Sequence, residues 1–476
     1  MSSFPCGLSS GYKDIKDVTL NIIDVTLKLH GSSSFINLVW LFLILEYQVA
    51  GYTLFSETNS PAKIPARQVR LDRIYIASQE ESITKHPALR LVPFGLCLSY
   101  LAAFQLFKIP PALPVLIDQY QFHRTLAGAF MSVYALNGLF FSFLIGRQIG
   151  KSKDRFYILL GLHCMLLGNL ISLFRPEAGW YMLAGRSLEG MAYSILAITG
   201  PVLANRHTPD VYKPLVVSLI ALWIPLGQVA ATIIAPFVLE YFSWQGMWWV
   251  GIFITLIMII WTFLIPSLAL QGQTESYKTG PVDPLNNTQK RLLWLAALVF
   301  MLWSTQYFAF MTWLPVYFIE QLGFSLGESL MGYVWPIIII IIFNLLTGLA
   351  LRKGIPVGTL LVIGLTTQAA VWWFIPLTQV NVTGILALGF YGMAAGIIAT
   401  CLFALPGTVT GRSGPAAIAF GFIMTGRNIG VFIGPILLGQ WYLFMAGWDH
   451  VTPVFAGVTT LAVGAGWLLS RRLSSD

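Results

Sequence analysis

Charge is scarce in this chain. Of its 476 residues only 10% are Asp, Glu, Lys or Arg, whereas 56% are hydrophobic and the mean hydropathy is +0.73. A water-soluble domain carries charge on roughly a quarter of its residues, so a soluble globular fold is excluded. The alternating segments of about ten residues that an outer-membrane barrel needs are missing as well. Runs such as "YVWPIIIIIIFNLL" read as helix instead. Cysteine is sparse: Cys6, Cys97, Cys164 and Cys401 have no metal or redox spacing and read as packing residues. No nucleotide loop, metal-ligand cluster or nucleophile–base pairing occurs, so the expectation is a protein that is not an enzyme and uses no cofactor or metal. The net charge of +8 comes from basic residues dispersed over short loops, which argues against a nucleic-acid partner.

What the chain does have is apolar length. From Leu91 onward twelve windows of about 20 apolar residues recur, the length that crosses a hydrocarbon core of about 30 Å. The fold class read from this is an all-α integral membrane protein with twelve transmembrane helices. A polar, Gly- and Pro-punctuated stretch, "SLALQGQTESYKTGPVDPLNNTQK", divides the spans six and six. The expected organisation is therefore an extension over 1–90, a six-helix bundle over 91–266, a central loop over 267–290 and a second bundle over 291–476.

The extension holds nine Lys/Arg and eight Asp/Glu, a surface-like composition. Its one long apolar piece, Ile36–Phe55, is interrupted by Glu46 and Gln48 and suits an interfacial or buried helix better than a thirteenth span. It lacks the basic start and small-residue cleavage site of a secretory signal.

Loop charge orients the spans. With His123 and Arg124 placed outside, the inner loops and C-terminal tail hold 14 Lys/Arg and the outer loops two, Arg124 and Arg175. Cytoplasmic loops carry the excess of Lys/Arg, so Leu91 and the C-terminus are expected in the cytoplasm, in a cell (inner) membrane.

The halves also resemble each other. "LPVLIDQYQF" (Leu113–Phe122) matches "LPVYFIEQLGF" (Leu314–Phe324), and "GQVAATIIAP" (Gly227–Pro236) matches "GRNIGVFIGP" (Gly426–Pro435). Offsets near 200 residues put spans 1 and 5 against spans 7 and 11, as a six-plus-six duplication requires. Such repeats mark transporters, with the substrate site near the midplane between the repeats.

Further motifs carry a family resemblance. "GRQIGKSKDR" (Gly146–Arg155) resembles a degenerate form of the loop between spans 2 and 3 of major facilitator superfamily transporters, and "RSLEGMAYSILAITGP" (Arg186–Pro201) resembles their span-4 motif. "FMTWLPVYFIEQLGFS" and "GRNIGVFIGP" are most similar to the branch containing cyanate and 2-nitroimidazole transporters. The resemblance covers Leu91 to Arg472 and implies a monomeric secondary transporter with the lipid bilayer and a small-molecule substrate as partners. It also implies a cytoplasmic gate at Gly146, Arg147, Gly150, Lys151, Asp154 and Arg155. The family's loop aspartate falls where this chain has Gly150, with Asp154 displaced, and Lys151, Lys153 and Arg155 read equally as ordinary inner-loop charge.

Four charges lie within the spans: Lys108, Arg186, Glu189 and Arg427. Each costs at least about 2.5–3.5 kcal/mol at a helix centre, so each is expected to face the bundle interior. Arg427, opposite the neutral Gln228 in the matched repeat, is a candidate fork for an anionic or strongly polar group; the alternative is a tie to backbone carbonyls. Arg186 and Glu189, spaced i, i+3, share a face of span 4. They form either a proton-coupling site, its carboxylate sensitive to its partner's position, or a static pair. Lys108 precedes "IPPALP", whose prolines leave carbonyls unpaired; it lines a broken helix or snorkels to the interface. Gln306, Tyr307 and Trp313, with Trp303 and Tyr391, are candidates for an aromatic lining. His163 reads as a satisfied polar residue. With no nucleotide motif, energy must come from an ion gradient, protons among the candidates, or from the substrate's own. Efflux of amphiphilic, drug-like compounds and a non-transporting receptor or scaffold are the competing readings.

Overall fold

A computed structural model describes residues 91–146, 154–209, 212–266, 285–374, 382–411, 416–448 and 450–475. The expected helix at Ile36–Phe55 lies outside the described residues.

The described residues are helical almost throughout, and ten helices are long and apolar enough to cross a membrane. Two further spans complete the expected twelve. Arg124–Gly146 supplies span 2 in 23 residues. The helix Trp223–Leu264 runs for 42 residues, about 63 Å at 1.5 Å per residue and twice what a bilayer core needs. It is two spans, broken at Ser243, whose φ of 53° and ψ of −163° are not helical. Span 5 is thus Lys213–Ala221 with 223–242, and span 6 is 244–264. The others are Leu91–Phe107 with Ile109–Tyr120 (span 1), Asp154–Phe174 (3), Trp180–Arg206 (4), Asn287–Leu322 (7), Leu326–Arg352 (8), Val357–Phe374 (9), Val382–Thr410 (10), Ala416–Met445 (11) and Val451–Ser475 (12).

Span 7 starts at Asn287, inside the expected central loop. Asn286 accepts from the Gln289 amide N–H while the Gln289 side chain accepts from the Asn286 N–H, a reciprocal cap that starts a helix early. Large apolar side chains such as Phe237, Phe253, Ile260, Met331 and Phe444 are exposed on the helix surfaces. In water that would be a liability; against lipid it is the expected outer face.

Small residues set the helix contacts inside each half, as lipid-embedded interfaces favour. A Cβ at Gly227 of span 5 would collide with Ala103 of span 1, and one at Gly430 of span 11 would collide with Ser304 of span 7. Ala103 and Ser304 stand 201 positions apart, as do Leu113 and Leu314. By contact, then, Gly227 corresponds to Gly430. The match of Gly227 with Gly426 seen in the sequence is displaced by one turn, and Gln228 is not the repeat partner of Arg427. The reason is periodic: Gly426, Gly430 and Gly434 repeat every four residues, as do Gly227, Ala231 and Ala235. A shift of one turn leaves the small-residue pattern unchanged.

Candidate functional site

The proline break in span 1 organises the first half. Pro110 has no N–H to offer the Leu106 carbonyl. Arg186 of span 4 supplies the missing donor: Nη2 donates to Leu106 O at 3.2 Å, while Nη1 donates to Gln105 O at 2.8 Å and Nε to Phe130 O of span 2 at 3.0 Å. The guanidinium lies 4.0 Å from the centre of the Tyr134 ring. Nη1 is also 2.6 Å from Glu189 Oε2, so the sequence pair does form. Spans 3 and 4 approach closely enough for this because Gly168 has no side chain; a Cβ there would lie 2.7 Å from Glu189 Cγ.

Lys108 joins the same cluster rather than snorkelling. It is fully buried and donates to Gln105 Oε1 and Asn169 Oδ1, each at 2.7 Å, and to Glu189 at 3.1 Å, with its ammonium 4.4 Å from the Trp248 ring centre. Snorkelling fails because the break in span 1 leaves Lys108 facing three acceptors, from spans 1, 3 and 4, with Trp248 of span 6 beside it. Tyr134 donates to Glu189 Oε2 at 2.6 Å. The cluster therefore holds two cations and one anion, all at 0% exposure. Gln105, Tyr134, Asn169 and Trp248 were not singled out from sequence; Asn169, a buried amide in an apolar span, was the available signal.

A second group of residues lies between the halves. Gln228 of span 5 donates to the Tyr333 hydroxyl of span 8 at 2.8 Å, and the Tyr307 hydroxyl of span 7 lies 3.5 Å from Gln228 Oε1. Trp303 stacks on Tyr307 with ring centres 4.9 Å apart. Next in the chain, Phe308 lies beneath the Arg427 guanidinium, 5.2 Å from Cζ to the ring centre, and stacks on Phe107 of span 1. Arg427 and Gln228 thus converge on neighbouring residues of span 7 although they are not repeat partners. Arg427 is 6% exposed; Nη1 donates to Asn428 Oδ1 at 3.0 Å and Nη2 has no partner. Gln306 accepts from Tyr391 at 3.1 Å, and Gln368 accepts from Trp303 at 2.9 Å. The amide nitrogens of both glutamines are buried without a partner. Tyr333, Phe308 and Gln368 were missed by sequence reading, since only the helix faces reveal them.

Trp313 does not join this group. Its indole N–H donates to Pro435 O at 2.9 Å, near the end where spans 1 and 7 finish. There Arg124 pairs with Glu320 across the halves at 2.5 Å, with its guanidinium 4.5 Å from the Tyr442 ring centre, and Glu320 also accepts from Trp448 at 3.0 Å. Of the expected gate motif, Gly146 ends span 2 and Asp154 opens span 3; Arg147, Gly150 and Lys151 lie outside the described residues. Asp154 is 2% exposed and accepts from Arg206 of span 4 at 2.7 Å. Arg155 reaches Ile265 O of span 6 at 3.5 Å. These two tie span ends within the first half. His163 is bonded to Leu159 O at 2.7 Å, as a satisfied polar residue is. Cys97, Cys164 and Cys401 are free thiols.

Chemically, the inter-half group offers a buried guanidinium N–H with nothing to bind, tyrosine hydroxyls and aromatic faces, and the second half adds two unfilled amide N–H groups. Such a surface accepts a planar, oxygen-rich anion.

The family profile described as Major Facilitator Superfamily matches residues 95–435. The chain is 29% identical over 163 residues to a protein of Haemophilus influenzae named for metabolite transport, covering 32% of this chain and 40% of that one. It is 27% identical over 164 residues to an uncharacterized transporter of Buchnera aphidicola, covering 33% and 41%. It is 25% identical over 295 residues to the cis,cis-muconate transport protein of Acinetobacter baylyi, covering 55% and 69%. The chain thus spans about two fifths of the length of the first two relatives.

Proposed function

The chain belongs to the Major Facilitator Superfamily and is a multi-pass membrane protein, and from that premise we infer that it transports a small organic carboxylate by alternating access. One observation carries the reading: Arg427 Nη2 is buried and unpartnered beside an aromatic face. A buried donor without an acceptor costs about 1–3 kcal/mol, a cost that a bound carboxylate removes. Tyr307, next in the chain to the Phe308 ring under the guanidinium, reaches Gln228 with its hydroxyl, and the free amide donors of Gln306 and Gln368 extend the set within the second half. A relative named for transport of cis,cis-muconate, a carboxylate, supports the same class.

Coupling to protons at the Lys108–Glu189–Arg186 cluster, a cytoplasmic C-terminus in an inner membrane, function as a monomer, and kinship with the cyanate and 2-nitroimidazole branch complete the reading. Efflux of amphiphiles is the second reading, favoured by the run of touching rings Trp303, Tyr307 and Phe308.

The deciding experiment is a thermal-shift and calorimetric screen of purified protein against cis,cis-muconate, benzoate, neutral amides and cationic amphiphiles. Stabilisation by the carboxylates, lost in Arg427→Gln, is expected. Stabilisation by amphiphiles with indifference to carboxylates would establish the efflux reading instead.

A further inference from the structure

The charged cluster of the first half has an uncharged twin in the second. Gln105 and Lys108 correspond to Gln306 and Ala309, each 201 positions on, and Glu189 corresponds to Tyr391, 202 positions on. Asn169 corresponds to Gln368 within one turn. In the twin, Tyr391 bonds Gln306 and Trp303 bonds Gln368, with no ion present. The same place in the repeated fold is therefore held by neutral groups. Packing alone does not require the charges of the first half, and their excess of one positive charge in a dry interior calls for a use.

We propose that Lys108 is the proton-carrying group of the transport cycle, gaining and losing its ammonium proton as the Gln105 amide turns over. The proposal rests on the proton-coupled reading above.

Hydrogen-bond accounting singles out Lys108. As an ammonium it has three donors, and it meets three acceptors: Gln105 Oε1, Asn169 Oδ1 and Glu189. As a neutral amine it has two donors and one lone pair, so one acceptor must become a donor. Asn169 is pinned, because its Nδ2 donates to Met165 O at 2.7 Å. Glu189 takes Arg186 and Tyr134 on Oε2, each at 2.6 Å, and leaves Oε1 to Lys108; a proton passed to Oε1 would stay within the cluster and release nothing. Arg186 does not lose its proton. Gln105 alone is loosely held: its Nε2 lies 3.5 Å from Thr255 Oγ1, at the limit of a hydrogen bond. A half-turn of that amide points Nε2 at the amine lone pair and Oε1 at the Thr255 hydroxyl, which must leave the Gly251 carbonyl it bonds at 2.6 Å to donate to it.

The balance closes on one N–H bond. Lys108 releases one proton to water on one side and regains one from the other side. The charged and titratable groups around it are Glu189 and Arg186 from span 4 and Tyr134 from span 2. Spans 3 and 6 present the neutral Asn169, Thr255 and Trp248. Motion reaches the cluster through the chain itself. Lys108 occupies the interruption of span 1 directly after Phe107, which stacks on Phe308 of the other half. Rocking of the halves pulls on that interruption.

Solid-supported-membrane electrophysiology on proteoliposomes tests this with a pH jump and no cargo. The parent protein is expected to displace charge on the jump, and Lys108→Met to lose the displacement. Lys108→Arg, which keeps the cation but cannot release a proton, is expected to lose it too, and it decides the matter if the Met variant does not purify as a monodisperse species. Gly464→Ala, at a position with open space around it, is the unaltered control. Displacement retained by Lys108→Arg, or absent from the parent, overturns the proposal. A Lys108-dependent displacement with no current on adding cis,cis-muconate overturns the cargo reading and leaves Lys108 standing. Muconate uptake with no displacement does the reverse.

Discussion

Phe107 and Phe308 occupy equivalent positions, 201 residues apart, and they stack on each other across the two halves with ring centres 6.1 Å apart and planes 21° from parallel. In a two-fold arrangement, equivalent residues touch only beside the axis. The pseudo-symmetry axis therefore passes between these rings. On one side the chain leads directly to Lys108, and on the other the Arg427 guanidinium covers the ring.

Arg427→Gln is expected to weaken carboxylate binding by about 1.5–3 kcal/mol, the worth of a hydrogen bond to a charged group. Membrane expression and melting temperature are expected to stay near the parent value, since the guanidinium has one side-chain partner, Asn428. Arg427→Lys is expected to recover part of the affinity, because an ammonium cannot form a fork. Calorimetry with cis,cis-muconate reads both. A collapse in melting temperature with unchanged affinity per folded molecule would identify a brace.

Arg186→Lys removes the donor that replaces the missing Pro110 N–H and leaves Leu106 O without its partner. A loss of about 1–3 kcal/mol is expected from the buried unsatisfied carbonyl. The melting temperature should fall even though the charge is kept; an unchanged value would mean that the fork is dispensable.

Gly434→Ala would drive a Cβ into the Thr305 carbonyl, whereas a Cβ at Gly464 meets nothing within 4 Å. Overpacking of this kind costs about 1–3 kcal/mol. A marked drop in melting temperature for the first and none for the second is the expected contrast.

Glu320→Gln weakens the tie to Arg124. Because the two side chains are 15% and 30% exposed, stability should change by no more than about 1 kcal/mol. Hydrogen exchange around Arg124 and Glu320 is expected to quicken regardless, because the pair joins the two halves at that end. Exchange at the parent rate would show that Gly128 and Gly439, packed against Pro435 O and Arg124 O, close it unaided.

Topology is open to direct labelling. A cysteine at Glu177, exposed between spans 3 and 4, is expected to react with an impermeant maleimide from outside intact cells. One at Lys353, exposed between spans 8 and 9, is expected to react only after permeabilisation. The opposite pattern would invert the arrangement drawn from loop charge.

Composition and periodicity by themselves determined that this chain lies in a membrane, crosses it twelve times from Leu91 onward and repeats after six spans. The transfer cost of charge and the length of a bilayer-spanning helix act locally, on residues adjacent in the sequence, so local sequence is enough to read them. The same cost marked Lys108, Arg186, Glu189 and Arg427 as interior. Where each of them goes was decided by tertiary structure. Of the two places open to Lys108, the interior won over the interface because three acceptors from spans 1, 3 and 4 converge on it, and no local pattern records which helices are neighbours. The register of span 11 against span 5 was hidden by a four-residue spacing of small side chains that looks the same after a shift of one turn. Backbone contact alone broke the tie, setting Gly430 on Ser304 where Gly227 sits on Ala103.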